Sequence, residues 1–573
     1  MVNRPDKEKR YMKKEMMILL MAAAAGTFCL SSLTAGKVSA MTDGDFEYNI
    51  LNEEQKTCVI NRYLGDKYEV KVPSDINGYT VILIGDSAFE KNEAIKEVTL
   101  PNTVLEIGPE AFQGCSSLKN ISLPTGLKTI GDNAFYECWE LGSIKLFDGI
   151  VTIGNKAFSD CCSIEELELP DSLNMIGDEA FYNCYELKKI SFPKGLKAIG
   201  NGCFYNCAMV TLKIPEGITA IGDNAFEESN ELESISLPSS LKTIGSYAFS
   251  KCYNVKSVEI SEGLESIGSY AFNSCYGLED IKLPKGLKTI DSYAFFDCEV
   301  IEEIDIPEGV TTIGENTFSN CIKLEKITLP STLKTIGENA FHGSDLESIS
   351  ISSKNPYFDS RDNCHALINT STDTLIRACN KSSVPASVKK IGDYAFSNLS
   401  KITEIKIPSK TKKIGKSAFE NCENLKKITL PKTMKSIGEK AFYDCESLAG
   451  ISIPKGITVI KKYTFGNCAY LKKVTLPSGL KSIEANAFND CESLARIDIP
   501  KGVTQIKTGT FEHCYDLEVI TLPKSIKKIG QDPFFECSLK HIDYAGSKAA
   551  WKKIKINTSV NLKGVKINYD YKG

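Results

Sequence analysis

The sequence predicts an α/β repeat solenoid in which about 20 coils of 23 residues stack around a parallel β-sheet. Phenylalanine recurs nineteen times at steps of 23 residues, apart from one step of 22 and one gap of 55. Between successive phenylalanines, most copies contain a short alternating apolar stretch that ends at proline, which is typical of a strand with one buried face. The repeated residues are Phe89, Phe112, Phe135, Phe158, Phe181, Phe204, Phe226, Phe249, Phe272, Phe295, Phe318, Phe341, Phe396, Phe419, Phe442, Phe465, Phe488, Phe511 and Phe534.

One representative unit, AFNDCESLARIDIPKGVTQIK at 487–507, shows how each coil is built. Leu494, Ile497 and Ile499 alternate with polar residues and predict a short strand, which Pro500 ends because proline has no N–H to donate. The KGVTQI segment is read as a turn followed by a short extended piece. The A-F-x-x-C segment is predicted to form a tight helical turn whose Ala and Phe fill the interior. A single unit has too few apolar groups for a core, so neighbouring coils must stack.

A cysteine stands three residues after the repeat phenylalanine at 15 of the 19 sites, and Asn92, Ser229, Ser344 and Leu399 occupy the others. A disulfide framework, a metal ladder, catalytic thiols and small buried packing groups are the four interpretations. Leucine fits neither a disulfide nor a metal site, and one column offers ligands from a single direction. Reactive thiols lie in exposed, electropositive surroundings. The column, and Cys203 with it, is therefore predicted to consist of small packing groups with weak hydrogen-bonding capacity, with oxidation between neighbouring coils left open.

Residues 1–40 have the pattern of a secretory signal peptide. Basic residues between Lys7 and Lys14 precede a nearly apolar run from Met16 to Leu33, and VSA at 38–40 provides small residues before a cut after Ala40. No other stretch approaches the roughly 20 apolar residues that a membrane span needs. The mature protein is therefore expected to be exported and to lack a transmembrane segment.

Charge and motifs exclude several functions. The chain has 68 Lys and Arg against 73 Asp and Glu, a formal net charge of −5, which argues against nucleic acid or an anionic membrane as partner. There is no H-E-x-x-H, C-x-x-C, acidic calcium loop, P-loop or G-x-S-x-G motif. Cys and His adjoin at 364–365 and 513–514, but a nucleophile pair must be adjacent in space and oriented by a third group. The sequence therefore predicts no enzyme activity, no cofactor and no metal site.

The repeat pattern L-x-x-I-x-L-P-x-x-L-x-x-I-G-x-x-A-F-x-x-C resembles the BspA-like, treponemal-type leucine-rich repeat family of secreted and surface proteins. The similarity runs from about Ile84 to Cys537, and FEYNILNEEQKTCVINRYLG (46–65) and YAGSKAAWKKIKI (544–556) look like the family's terminal caps. The resemblance implies a right-handed curved solenoid used in adhesion, with host matrix proteins or other cells as partners. The predicted divisions are a signal peptide at 1–40, an N-terminal cap at 41–83, a first leucine-rich repeat array at 84–344, a β-hairpin island at 345–392, a second array at 393–537 and a C-terminal cap at 538–573.

The island breaks the 23-residue period, and such an insertion recurs in the resembled family. Its segment HALINTSTDTLIRA reads as a hairpin whose turn is centred near Ser371–Thr372. Directly opposed residues on paired strands have Cα atoms about 4.5–5.5 Å apart, within the range of a disulfide. Cys364 and Cys379 are therefore the candidate disulfide, and two separate thiols are the alternative. The opposed pairs that follow from this turn are Leu367 with Ile376, Ile368 with Leu375, and Cys364 with Cys379.

Aromatic side chains concentrate on the turns around A-F-x-x-C, where stacked coils would bring equivalent positions within about 5 Å. Tyrosine and tryptophan favour interfaces because each brings a large rigid surface with a polar tip. The alternative is that these rings only cover the turns and stack on each other. The outward face of the strands, with an acidic spot at Glu166 and Glu168, indicates solvation more than binding. The predicted binding residues are Tyr136, Trp139, Tyr182, Tyr185, Tyr247, Tyr253, Tyr270, Tyr276 and Tyr293, with Tyr205 and Phe296 in the same clusters.

The predicted function is that of a secreted or cell-surface protein that binds host matrix or neighbouring-cell proteins through many weak contacts. Glycan binding on the Tyr and Trp ribbons, and a passive role in a wall or matrix, are the open alternatives. Extracellular proteins are thus the expected partners and glycans the second. No sorting motif with an apolar tail follows the cap-like segment, so release or non-covalent association with the cell surface is expected.

Overall fold

The computed structural model describes residues 40–572, so the predicted signal peptide lies outside the described residues except for Ala40. The described residues form two compact units, one ending at Val300 and the other beginning at Ile301. In each unit, short strands from successive coils pair in parallel. The repeat solenoid predicted from the phenylalanine spacing is confirmed.

The coils of the first unit build two ladders of parallel strands, and pairing joins equivalent residues of successive coils, such as Leu212 with Ile235 and Ile221 with Ile244. The first ladder comes from the L-x-x-I-x-L segments: Glu69–Lys71, Glu97–Thr99, Asn120–Ser122, Glu166–Glu168, Lys189–Ser191, Thr211–Lys213, Ser234–Leu237, Ser257–Ile260 and Asp280–Ile281. The second comes from the segments before the A-F-x-x-C turn: Glu106–Ile107, Thr129–Ile130, Thr152–Ile153, Met175–Ile176, Ala198–Ile199, Ala220–Ile221, Thr243–Ile244, Ser266–Ile267 and Thr289–Ile290.

The chain enters this unit through a small antiparallel sheet within the segment predicted as a cap. Met41–Asp43, Phe46–Asn52 and Thr57–Tyr63 pair in antiparallel order, and Asp75–Ile76 pairs with Tyr79–Ile84. Tyr79–Ile84 lies parallel to Thr57–Tyr63 on one side and to the first short strand of the second ladder on the other. The hairpin therefore covers the end of the ladder, which would otherwise be an open edge.

The second unit repeats the two ladders around the island. Its first ladder holds Glu303–Asp305, Lys326–Leu329, Ser348–Ile351, Glu404–Lys406, Lys427–Thr429, Gly450–Ser452, Lys473–Thr475, Arg496–Asp498, Val519–Leu522, His541–Tyr544 and Lys566–Asn568. Its second holds Thr312–Ile313, Thr335–Ile336, Lys390–Ile391, Lys413–Ile414, Val459–Ile460, Ser482–Ile483, Gln505–Ile506, Lys528–Ile529 and Lys555–Ile556. The island adds Phe358–Asp359, Ala366–Asn369, Thr374–Ala378 and a 3₁₀ turn, Arg361–Asn363, and a one-turn α-helix, Lys548–Trp551, lies near the C-terminus.

The repeat phenylalanines form continuous columns of stacked rings in the core of each unit. From Phe89 to Phe295, neighbouring ring centroids are 4.7 to 5.5 Å apart. From Phe396 to Phe534 the spacing is 4.7 to 6.2 Å. All of these rings are buried. Since a single coil cannot enclose its own phenylalanine, stacking of the rings between coils accounts for the strict period.

The A-F-x-x-C segment is not the helical turn that the sequence predicts. The chain instead makes successive tight turns, with left-handed residues two positions before and after the phenylalanine, such as Asn133 (φ 53°) and Glu137 (φ 59°). Around Phe135, the Tyr136 N–H bonds to Asn133 O within the coil at 3.0 Å, whereas the Phe135 N–H bonds to Ala157 O of the next coil at 2.8 Å. Because alternate N–H groups bond between coils, the i to i−4 pattern of a helix cannot form.

The island hairpin has the predicted turn but a different register. Ile368 faces Leu375 as predicted, whereas Leu367 faces Arg377 rather than Ile376. A register shift between Leu367 and Ile368 displaces every pair farther from the turn by one residue. The predicted pairing was therefore wrong beyond this irregularity.

Arg377 fills the interior of the island, where it is only 4% exposed. Its guanidinium donates hydrogen bonds to the carbonyls of Ser344 at 2.8 Å, Ser397 at 3.1 Å and Tyr394 at 3.3 Å. Burial lowers the pKa of Arg377 to about 10, which still leaves the side chain cationic at neutral pH. In this coil Leu399 occupies the cysteine position and has no group that can donate a hydrogen bond. The guanidinium of Arg377 supplies hydrogen bonds there.

Candidate functional site

The cysteine column forms a ladder of hydrogen bonds inside each unit. Each thiol donates to the carbonyl of the phenylalanine in the preceding coil, as Cys115 does to Phe89 at 3.1 Å and Cys275 to Phe249 at 3.2 Å. Of the two serines in the column, Ser229 keeps this bond, since its Oγ donates to Phe204 O at 3.3 Å, whereas Ser344 Oγ donates to Phe341 O of its own coil at 2.6 Å. This arrangement confirms the prediction that the column consists of buried packing and hydrogen-bonding groups.

We expect alkylation of the native protein to spare the ladder thiols that are buried, which are all except Cys537. Burial raises the pKa of Cys275 to about 12, so almost none of it is thiolate at about pH 8.5, and only the thiolate reacts. Cys162 is half-buried and should be labelled first by iodoacetamide. Peptide mapping by mass spectrometry gives the order, with urea-unfolded protein as the control. Labelling of Cys275 as fast as Cys162 in the folded protein would contradict this assignment.

Cys364 and Cys379 are buried as two thiols in the structure, and the register shift removes the direct opposition that the sequence predicts. Each is near a serine hydroxyl: Ser360 Oγ lies 3.7 Å from Cys364 Sγ, and Ser382 bonds to the Cys379 backbone. A disulfide between them stays a prediction. Unfolding without reductant before alkylation decides the matter, because a disulfide leaves both residues unlabelled and two thiols are both labelled.

The predicted binding tyrosines occupy three separate columns in the first unit. One column, two positions before the repeat phenylalanine, contains Tyr247, Tyr270 and Tyr293. A second, directly after that phenylalanine, contains Tyr136, Tyr182 and Tyr205, and Phe296 farther along. A third, directly after the ladder cysteine, contains Trp139, Tyr185, Tyr253 and Tyr276. Residues that are close along the chain therefore lie in different columns, as Tyr136 and Trp139 do.

The first column is a stack of half-buried rings on unusual backbone. Tyr247 and Tyr270 have centroids 4.6 Å apart, and Tyr270 and Tyr293 have centroids 4.5 Å apart, with both pairs within 4° of parallel. All three residues are left-handed, with φ of 57° to 60°. The equivalent residue is left-handed in the other coils too, with asparagine at Asn133 and Asn224 but Lys156 and Glu179 elsewhere. A bulky side chain is uncommon in this conformation, which asparagine tolerates much better.

The second column is tied to charged groups on the turns. Tyr182 and Tyr205 stack at 4.5 Å, and burial first, then a hydrogen bond to Glu228, raises the pKa of Tyr205. Lys251 pairs with Glu228 at 2.6 Å and holds the pKa of that carboxyl below its usual range. Ser159 lies between Tyr136 and this pair, so Tyr136 is separated from the stack. These rings are half-buried and mainly cover the turns.

The third column is the most exposed aromatic surface among the predicted residues. Trp139 is 53% exposed, Tyr185 52%, Tyr276 42% and Tyr253 38%. Tyr253 and Tyr276 stack with centroids 5.2 Å apart. The predicted approach of equivalent aromatic positions to about 5 Å is therefore confirmed for the Tyr253–Tyr276 pair as for the other stacked pairs.

Cys162 is a residue of this surface that the sequence analysis missed. It follows the ladder residue Cys161 and lies in the third column between Trp139 and Tyr185. The Cys162 thiol donates to the Asp160 carbonyl at 3.3 Å, and burial raises the pKa of Cys162, an effect that the neighbouring Tyr185 hydroxyl partly offsets. The doubled cysteine at 161–162 was the available signal, because only one of two adjacent residues can belong to the buried column.

Some of the charges on the outward face of the strands are paired between coils. Glu166, in the predicted acidic spot, lies 3.5 Å from Lys189 of the next coil, and Glu233 lies 3.4 Å from Lys256. In the second unit Lys326 pairs with Glu303. Such exposed pairs contribute little to stability, at about 0 to 1 kcal/mol each. The pairing nevertheless reduces the net field of this face and agrees with its interpretation as a solvated surface.

Between residues 40 and 572, no three His, Cys, Asp or Glu side chains are grouped so that they could hold a metal ion. None of the helices in the same range has the length and apolar character needed to cross a bilayer.

Stacked coils, a buried aromatic and thiol core, and a patterned surface define this protein as a solenoid repeat scaffold. The chain belongs to the family described as BspA type Leucine rich repeat region, which it matches in six overlapping copies at residues 82–209, 151–261, 174–299, 242–368, 376–458 and 435–562. Proteins of this type are typically surface proteins that mediate protein interactions, and the leucine-rich repeat solenoid is typically a non-enzymatic scaffold.

Solved structures of bacterial leucine-rich repeat proteins are similar to this chain. One from Eubacterium ventriosum ATCC 27560 has 25% identity and a TM-score of 0.50, over 54% of this chain and 84% of its own. A leucine rich cell surface protein from Faecalibacterium prausnitzii A2-165 has 22% identity over 92% of this chain and 100% of its own, with a TM-score of 0.31. A leucine-rich repeat protein of T. pallidum has 30% identity over 38% and 90%, with a TM-score of 0.31. No curated protein sequence matches.

Proposed function

We propose that this protein is secreted, stays at the cell surface through non-covalent contacts or is released, and binds extracellular proteins of a host matrix or of neighbouring cells. The binding surface is the aromatic face of the first unit, formed by the column of Tyr247, Tyr270 and Tyr293 and the exposed pair Tyr253 and Tyr276. The observation that carries this proposal is the unbroken stack of three tyrosine rings, with centroids 4.5 to 4.6 Å apart, in the first unit.

Stacking offsets part of the backbone cost of that column. A left-handed conformation costs an ordinary residue about 1–2 kcal/mol. Each of the two aromatic stacks stabilises the column by about 0.5–1.5 kcal/mol. Stacking therefore offsets only part of the cost of the left-handed backbone at the three tyrosines. Asparagine, which some other coils use here, avoids most of that cost, whereas Lys156 and Glu179 bear it as the tyrosines do. The stacked rings, more than the backbone, therefore distinguish these coils.

The repeat supplies the means to turn weak contacts into useful affinity. Each tyrosine presents a rigid ring and a hydroxyl at a fixed interval of one coil, and the stacked rings lose little freedom on binding. A partner that contacts two or more coils gains from the high effective concentration of the second contact.

The experiment replaces Tyr247, Tyr270 and Tyr293 by asparagine and measures binding to a panel of immobilised matrix proteins. The variant should keep or raise its melting temperature, because asparagine tolerates the left-handed backbone, while affinity for a bound panel member falls about 30-fold or more, as for loss of a binding hot spot. Tyr470→Ala is the control, since Tyr470 is 61% exposed but lies in the second unit. Equal affinity of the triple variant and wild type would refute the assignment of this face.

Glycan binding is the second candidate, and the exposed rings of Trp139 and Tyr185 favour it because flat, accessible aromatic rings suit sugar stacking. A glycan array run beside the protein panel separates the two. Signal on the array that is lost in Trp139→Ala and Tyr185→Ala would support glycan recognition. Absence of binding to both the glycan array and the protein panel supports a passive role in a wall or matrix.

A further inference from the structure

The island leaves one strand of the first ladder without a neighbour. Ser348–Ile351 pairs with Lys326–Leu329 on one side, and within residues 40–572 it has no strand partner on the other. The next strand of this ladder, Glu404–Lys406, pairs only with Lys427–Thr429 in the described part of the chain. The island hairpin therefore lies between these two strands, within the 55-residue gap from Phe341 to Phe396.

A single residue bridges the gap at one end. The Asn380 N–H donates to Leu346 O at 3.0 Å, and the Lys401 N–H donates to the Asn380 side-chain oxygen at 3.1 Å. Asn380 thus links the two flanking coils just before the strand begins. Beyond this point no strand of the described chain pairs with Ile349–Ile351 on this side.

The direction of the backbone groups follows from the pairing. Ser348 N–H bonds to Glu325 O at 3.0 Å and Ser352 N–H bonds to Leu329 O at 3.1 Å. In a parallel pair, alternate residues bond to the same neighbour, so the groups of Ile349 and Ile351 point the other way.

Ile349 and Ile351 leave an open edge on the side away from Lys326–Leu329. The Ile349 N–H faces the sulfur of Cys379. The Ile349 carbonyl and both the N–H and the carbonyl of Ile351 have no hydrogen-bond partner among residues 40–572. Backbone groups of this kind need a partner or water. The side chain of Ile351 is half-buried, whereas its equivalents Leu329 and Ile306 are buried.

The sequence of this strand does not protect its edge. Native proteins usually guard open edges with charges, proline or a covering segment. Residues 348–353 read SISISS, with neither a charge nor a proline, and Ser352 stands where most coils have proline.

A groove of about 500 Å³ runs along the open edge. The strand and Ser352–Ser353 line one side, and Phe358–Arg361 with Asn363 and His365 line the other. Its volume lies within the roughly 300–1,000 Å³ of ligand sites.

The far wall is held in place by ion pairs. Arg361 is paired with Asp359 at 2.8 Å and with Asp373 at 2.8 Å. Its charge is thereby neutralised, so the groove offers hydroxyl and amide groups rather than an open cation. A preformed wall lowers the entropy that a ligand must lose on binding.

We propose that this groove binds an extended peptide segment of a partner protein, which adds a strand to the open edge of Ser348–Ile351. The unpaired backbone groups of Ile349 and Ile351 indicate the occupant. A carbonyl, an N–H and a second carbonyl recur along the edge at the two-residue interval of a strand, and only another extended main chain repeats that interval. The proposal is independent of the aromatic face of the first unit.

The probe is a fluorescein-labelled peptide, LEKITLP, with the sequence of residues 324–330, the natural neighbour of this strand type. In parallel register, its threonine N–H donates to the Ile349 carbonyl, and its threonine carbonyl accepts from the Ile351 N–H. Methylation of the threonine nitrogen should weaken binding about tenfold, as for loss of one hydrogen bond with its partner left unpaired. Methylation of the isoleucine nitrogen, which faces away, is the matched control and should change affinity less than about twofold.

The complementary protein variant is Ile351→Pro, which removes the N–H that faces the groove and leaves the bonds to Lys326–Leu329 in place. It should lose about tenfold in peptide affinity by fluorescence anisotropy, with an unchanged circular dichroism spectrum. Ser353→Trp, which fills the groove from the surface, should abolish binding and serves if the proline variant misfolds. Absence of saturable binding, or equal weakening by both methylated peptides, overturns the proposal. A dimer of the wild-type chain that Ile351→Pro dissociates also overturns it, by assigning the edge to a second copy.

Discussion

Replacing Phe249 by alanine should lower the free energy of unfolding by about 3–5 kcal/mol, the range for a fully buried phenylalanine. The ring is completely buried, and its centroid lies 5.3 Å from that of Phe226 and 5.3 Å from that of Phe272. Truncation leaves a cavity and also removes two ring stacks worth about 0.5–1.5 kcal/mol each. The thiol of Cys275 donates to the Phe249 carbonyl, so a shift of this turn also disturbs the next coil.

The measurement is urea unfolding followed by circular dichroism, with the slope of the transition read as well as its midpoint. In a stack of coils, stability is a sum of coil and nearest-neighbour interface contributions. A weakened interface at Phe249 should therefore reduce cooperativity as well as stability. Trp139→Ala, in the same unit but exposed, is the control and should cost under about 0.5 kcal/mol. A loss for Phe249→Ala no larger than the control would show that the stacked column does not hold the coils together.

The stacked core was predictable from sequence because its determinants are local and repeated. A residue that recurs every 23 positions must lie above its copy in the next coil, which places Phe89 against Phe112 without further information. The strand at Arg496–Asp498 lies inside the predicted LARIDIP segment for the same reason. The buried role of the thiols followed from Ser229 and Leu399, which a disulfide or metal ladder would not accept.

The conformation of the A-F-x-x-C turn was harder to predict from sequence, because its cause lies in the neighbouring coil. Ala, Phe and Cys at short spacing resemble a helical turn when one coil is read alone. The Phe135 N–H bonds instead to Ala157 O, a partner that exists only after the coils stack. Asparagine two positions before the phenylalanine, as at Asn133 and Asn224, was a usable signal, since asparagine tolerates left-handed backbone.

The groove was beyond sequence reasoning for a similar reason. It arises from the strand Ser348–Ile351 losing its neighbour and from the wall at Phe358–Arg361, which only the island's path brings beside it. The division of the tyrosines into three columns needed the direction of each side chain from the turn. The hairpin register also failed at one irregularity, next to the buried Arg377.

Asn355 should be highly sensitive to substitution, because it is one of the buried polar residues of the island. It is buried, and its amide nitrogen donates to the carbonyls of Pro330 at 2.8 Å and Leu333 at 3.0 Å. Its side-chain oxygen accepts from the N–H groups of Tyr357 at 2.8 Å and Phe358 at 2.9 Å. One side chain thus fastens the wall of the groove to the preceding coil. Asn355→Ala should lower the free energy of unfolding by about 3–5 kcal/mol, because four hydrogen bonds are lost at about 1 kcal/mol each.

Asn355→Asp separates the hydrogen bonds that this side chain accepts from those that it donates. A carboxylate still accepts from the two N–H groups, but it cannot donate, and it places negative charge against two carbonyl oxygens. It should therefore destabilise the protein at neutral pH at least as much as alanine does. Ser353→Ala is the control, since Ser353 lines the same groove but is exposed. Urea unfolding ranks the three variants, and limited proteolysis maps where the chain opens. If Asn355→Ala unfolds like Ser353→Ala, the groove wall is held by the ion pairs of Arg361 instead, and Arg361→Met becomes the variant that should release it.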